Sequence, residues 1–130
     1  MHDLLAPVSP GELCDKITIL EIKADRMTDP AKLANVRHEL AVLTATWADS
    51  GFDTHSVTGE VDALRAVNAR LWAIEDDIRD CERRQDFGAE FVRLARAVYI
   101  ENDERAAIKK RINVTLGAKI VEEKSYQPYR

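Results

Sequence analysis

The sequence predicts an all-α protein: an antiparallel bundle of four to five helices with an extended C-terminal tail. Three observations carry that prediction. Apolar residues recur at spacings of three and four along most of the chain, which is the period of a helix face. Helix-start and helix-stop residues fall between these stripes, where most of the 5 glycines and 4 prolines sit. No stretch alternates apolar and polar residues as a half-buried strand does, and only Lys119-Ile120-Val121 reads as a strand at all.

The first helix opens at Ser9-Pro10-Gly11-Glu12. Ser9 is the N-cap, Pro10 takes the first turn where its missing N–H costs nothing, and Glu12 completes a capping box. Its stripe runs Leu13, Ile17, Leu20, Ala24, Met27, and Ile19 and Ile22 widen it enough to meet more than one neighbour. Thr28-Asp29-Pro30 ends it and caps the second helix, whose seam is Leu33, Val36, Leu40, Leu43, Trp47. That helix stops near Asp49-Ser50-Gly51. Gly51 to Gly59 is the one long loop, with Phe52 and Val57 as its anchors.

The third helix, Glu60 to Arg84, repeats Leu64, Val67, Leu71, Ile74, Ile78, Cys81, a seam suited to nearly aligned packing. Asp86 is placed to cap the fourth helix, which runs from Phe87 to about Leu116, with Gly117 as C-cap. Two forms fit its middle. Asn102 followed by two acids reads as a fresh N-cap, and an unbroken helix reads as well, slightly the better. Ala118 to Arg130 has no helical period and is expected to be extended, held by Ile120, Val121, Tyr126 and Tyr129.

The 130 residues form a single domain, 1–130, with 118–130 as its tail. Hydrophobic residues make up 45% and charged residues 32%, which fits amphipathic helices and not disorder. A net charge of -4 argues against nucleic acid as a partner. There is no membrane-spanning run and no signal peptide at the start, so a cytoplasmic location is expected. Cys14 and Cys81 lie on or beside apolar stripes without C-x-x-C spacing and read as packed free thiols. His2, His38 and His55 have no metal-ligand spacing, and no motif implies a cofactor. The sequon at Asn113 falls inside a helix and carries no weight. The width of the first and third helical faces suggests a homodimer.

The stripe of the fourth helix is interrupted. Phe87, Phe91, Leu94 and Val98 lead to Glu101 and Arg105 before apolarity resumes at Ile108 and Ile112. A charge on a buried face must be paired, wetted or removed from the core. Asn102, Arg105 and Lys109 share one side of this helix and could hold a phosphate or carboxylate, with Lys16 and Lys23 closing from the first helix. Alternatively, Arg105 pairs with Glu101 one turn away and the lysines are solvated. On the third helix Asn68, Trp72, Glu75 and Arg79 form a polar stripe that could join the break into one network; as a purely structural feature it would fix helix register. Glu75, Asp76, Asp77 and Asp80 facing Glu101 and Glu104 would suit a divalent metal, but interleaved Arg79, Arg83 and Arg84 favour a solvated salt-laced face.

Four segments resemble a known family: Gly11-Glu12-Leu13 with Asp15 to Lys23, Leu71-Trp72 with Ile74 to Arg79, Asn102 to Arg105 with Ile108-Lys109, and Val121 to Tyr126. Together they are similar to short bacterial proteins grouped as a domain of unknown function. That resemblance implies a position beside, or fused to, glycosyltransferases and tetratricopeptide proteins of surface-polysaccharide assembly. It brings no catalytic residues.

Three functions follow as expectations. The first is a non-enzymatic binding or accessory protein, linked to envelope-glycan assembly by the resemblance alone, with a protein partner at the tail. The second is a binder of an anionic small molecule, a sugar phosphate or nucleotide, at Asn68, Glu75, Glu101, Asn102, Arg105, Lys109 and Lys16. The third is a magnesium-dependent phosphohydrolase on the acidic cluster. The all-helical pyrophosphohydrolases it would resemble carry tandem acidic motifs that this chain does not reproduce.

Overall fold

The computed structural model describes residues 1–129; Arg130, the last residue of the expected tail, lies outside them. The order is α1 (Pro10–Arg26), α2 (Pro30–Ala48), a 3₁₀ turn (Thr54–Val57), α3 (Thr58–Arg83) and α4 (Ala89–Leu116). The fold is all-α, with no strand among the described residues. Short connections fold α1 with α2 and α3 with α4 into helical hairpins, and α1 also packs on α3 and α4.

The starts of α1 and α2 follow local chemistry, whereas α3 and α4 begin without a side-chain cap, at Val57 and Gly88. Ser9 Oγ accepts the Glu12 N–H at 3.1 Å, and Asp29 Oδ1 accepts from Ala31 and Lys32 at 2.9 and 3.2 Å. Glu12 does not close the capping box, because its carboxylate turns to Lys109 instead. At α4 the expected cap fails. Gly88 occupies the N-cap, and Asp86 Oδ1 accepts the Gly88 N–H at 3.1 Å in the preceding turn. Phe87 therefore lies outside the helix, half-exposed, its ring edge-on to Phe91 at 5.3 Å. From Ala89, α4 runs unbroken through Asn102 to Leu116, where Gly117 (φ 65°) terminates it.

The central core comprises Cys14, Val57, Leu64, Val67, Leu71, Ile108 and Ile112, drawn from α1, α3, α4 and the 3₁₀ turn. Val57 anchors the long loop as expected, whereas Phe52 stays exposed. The seam of α2 is the main departure. Only Val36 is buried, and Leu33, Leu40, Leu43 and Trp47 remain partly exposed. This helix packs chiefly on α1, so one side of its seam has no second helix to cover it. The breadth of α1 is met by three neighbours within one chain, α2, α3 and α4.

Both cysteines are free and buried, Cys14 2% and Cys81 1% exposed. Burial, with Asp15 adjacent, pushes the Cys14 thiol up to about 12. Neither thiol should react with a disulfide reagent at pH 8 in the native protein, and both should react in denaturant. Rapid native labelling of either one would contradict this packing.

Ala118 onward is extended and returns along α4. Glu122 meets Lys109 at 3.3 Å, Glu123 meets Lys110 at 3.5 Å, and Lys124 meets Asp103 at 2.5 Å. The Tyr129 ring sits edge-on to Tyr99 at 5.0 Å. Of the expected anchors, Ile120, Val121 and Tyr126 stay exposed, Tyr126 the most at 81%. Charge pairing and Tyr129 hold it instead. No described helix is long and apolar enough to cross a membrane.

Candidate functional site

The polar break in α4 faces a matching break in α1. Asp15 and Thr18 stand one turn apart on the α1 face that packs against α3 and α4, and Asn68 enters between them from α3. The Asn68 amide donates to Asp15 Oδ1 and to Thr18 Oγ1, both at 2.9 Å. The Thr18 hydroxyl donates to the Asp15 carbonyl at 2.9 Å. Arg105 Nη1 then donates to Asn68 Oδ1 at 3.3 Å. Asp15, Thr18 and Asn68 are at most 6% exposed, so an unmet polar atom among them would be costly. None is left unmet: every buried side-chain nitrogen and oxygen described has a partner.

Lys109 completes the network one turn beyond Arg105. Its ammonium lies 2.6 Å from Glu12, 3.3 Å from Glu122 and 3.8 Å from Asp15. Burial opposes its charge, but the hydrogen bond to Glu12 and the fields of Asp15, Glu12 and Glu122 prevail, holding it above the ordinary lysine value. A partly buried charge among three carboxylates clamps α1, α4 and the tail together.

Arg105 and Glu101 do not pair. Glu101 turns outward to Arg70 on α3 at 3.0 Å, while Asn68 draws the Arg105 guanidinium into the seam between the helices. Among the described residues Arg105 has no ion pair, which sets it apart from its neighbour Lys109. It borders two grooves. One, of about 440 Å³, lies between α1, α3 and α4 and brings together Lys23, Asn68, Trp72, Glu75, Asn102 and Arg105. The other, of about 880 Å³, lies between α4 and the tail and includes Asn102, Arg105 and Lys109.

Most of the sequence-selected residues thus converge, with three exceptions. Lys16 is exposed and borders neither groove, because its position on α1 faces away from α4. Glu75 reaches the groove wall but stays outside the buried network, half-exposed and 3.6 Å from Arg79. Glu101 borders a third groove with Arg70 beneath the tail. The acidic cluster does not converge. Asp80 is held by Arg83 and Arg84, Glu101 by Arg70, and no group of three His, Cys, Asp or Glu side chains among the described residues could hold a metal ion.

Sequence reasoning passed over Asp15, Glu12 and Asn113. Asn113, 2% exposed, accepts the Gly11 N–H at 2.7 Å and so caps α1 from α4. The signal for Asp15 was present: Gly11, Asp15, Thr18 and Ile22 lie in one row of the first helix at spacings of four, three and four. That row carries the same kind of polar interruption that singled out Arg105.

The model of a family of unknown function (DUF6165) matches residues 5–129, a span that contains all four helices and every residue of the network. The chain belongs to this family. No curated protein and no solved structure matches the chain.

Proposed function

We infer that this protein is a non-enzymatic binding module for an anionic small molecule, received in the groove between α1, α3 and α4. One observation carries the reading: Arg105 is held in place by Asn68, yet it has no carboxylate partner among the described residues. A planar guanidinium oriented by a buried amide suits a phosphate or carboxylate, and Asn102 beside it supplies a further donor. The groove volume falls within the range of small-ligand sites.

The test is a thermal-shift screen with inorganic phosphate, phosphorylated metabolites and dicarboxylates. At least one phosphorylated compound should raise the melting temperature by a few degrees at millimolar concentration. Arg105→Ala should abolish that rise while the variant still melts cooperatively. A panel with no stabilising anion, or a rise that survives Arg105→Ala, would overturn the reading.

A further inference from the structure

We propose that the groove takes a nucleotide, its phosphate at Arg105 and Asn102 and its base against Trp72. This rests on the anion-binding reading above and specifies the ligand. Asn68, Trp72 and Asp76 occupy one row of α3 at successive intervals of four residues, with Glu75 beside the last. A helix rises about 6 Å over four residues, so anion site, indole and carboxylates succeed one another at roughly that step. A nucleoside monophosphate presents charge, planar ring and exocyclic amine in the same order.

Trp72 forms the wall of this groove, whereas Trp47 packs against the central core and borders a separate groove with Pro10 and Phe52. The Arg26 guanidinium lies 5.9 Å from the Trp72 ring centroid, within reach of a cation–π contact, and is not part of the groove lining. Ile19, Ile22 and Leu71 line the groove with Trp72. These side chains give a planar base an apolar wall and an aromatic face to stack on. Beyond Trp72, Glu75 and Asp76 are acceptors for an exocyclic amine, which only donates.

The experiment compares adenosine monophosphate, ribose 5-phosphate and inorganic phosphate by calorimetric titration of the whole chain. Base stacking on an aromatic side chain strengthens binding by about ten-fold or more. Adenosine monophosphate should therefore bind at least ten-fold more tightly than ribose 5-phosphate and should quench tryptophan fluorescence. Trp72→Leu should remove the advantage of the base and leave phosphate affinity unchanged. Trp72→Phe, the milder change for the fold, should keep most of the affinity and lose the quenching. Equal affinity for all three anions, each dependent on Arg105, overturns the nucleotide and leaves the anion site standing. If none of the three binds, or binding ignores Arg105, the anion site itself falls. Quenching that persists in Trp72→Phe also overturns the assignment of the base to this wall.

Discussion

Asn68→Leu should cost about 3–5 kcal/mol, the range for breaking a buried charged network by removing one member. Leucine fills a similar volume, so the loss is one of hydrogen bonds and not of packing. Asp15 Oδ1 and Thr18 Oγ1 would each lose the Asn68 amide, and Arg105 would lose its acceptor. Asp15 would then depend on Lys109, which lies at 3.8 Å and is already shared between Glu12 and Glu122. Denaturant melts of Asn68→Leu, Asp15→Ala and the double variant would measure this. The coupling between the two sites should exceed about 1 kcal/mol, because they act within one network. As a reference, Arg93→Ala removes only an exposed pair with Glu90 and should change stability by less than about 0.5 kcal/mol. If Asn68→Leu behaves like Arg93→Ala, the network is not a structural element.

Gly11→Ala should destabilise the protein by about 2–3 kcal/mol, although alanine is the better helix former by about 1 kcal/mol. A Cβ at Gly11 would stand 2.5 Å from the backbone oxygen of Lys109 and 3.0 Å from Asn113 Oδ1. A backbone atom in the middle of α4 cannot step aside, so α1 must lift and weaken the 2.7 Å bond from the Gly11 N–H to Asn113. Gly59, in the first turn of α3, provides the control, because a Cβ there would meet nothing within 4 Å. Gly59→Ala should be neutral or stabilise by up to about 1 kcal/mol. Thermal melts of the two variants should move in opposite directions. If Gly11→Ala melts at or above the unsubstituted protein, the close crossing of α1 and α4 is wrong.

The two variants also separate what the site needs from what the fold needs. Gly11 seats the start of α1 on α4, near Lys109, and Asn68 orients the guanidinium from the far side of the same network. A variant that lowers stability at Gly11 should leave Arg105 oriented once folded. A variant at Asn68 should impair anion binding even under conditions where the protein is fully folded.

Much of this molecule is local in origin. Ser9, Asp29 and Gly117 end or start helices by bonds and backbone angles that involve only their neighbours, so the sequence alone determined those boundaries. The stripes of α1, α3 and α4 likewise determined which faces turn inward, because periodicity depends on helix geometry alone. Tertiary structure decided the partners. Glu101 and Arg105 are well spaced to pair, yet each found a better partner on α3, since a neighbouring helix can present Arg70 and Asn68 at a depth no residue of α4 can reach. The seam of α2 reads as strongly as that of α3 but is covered on one side only, because a stripe records what can be buried and not what is available to bury it. Spacing along one helix is a property of the chain; the distance between two helices belongs to the folded whole.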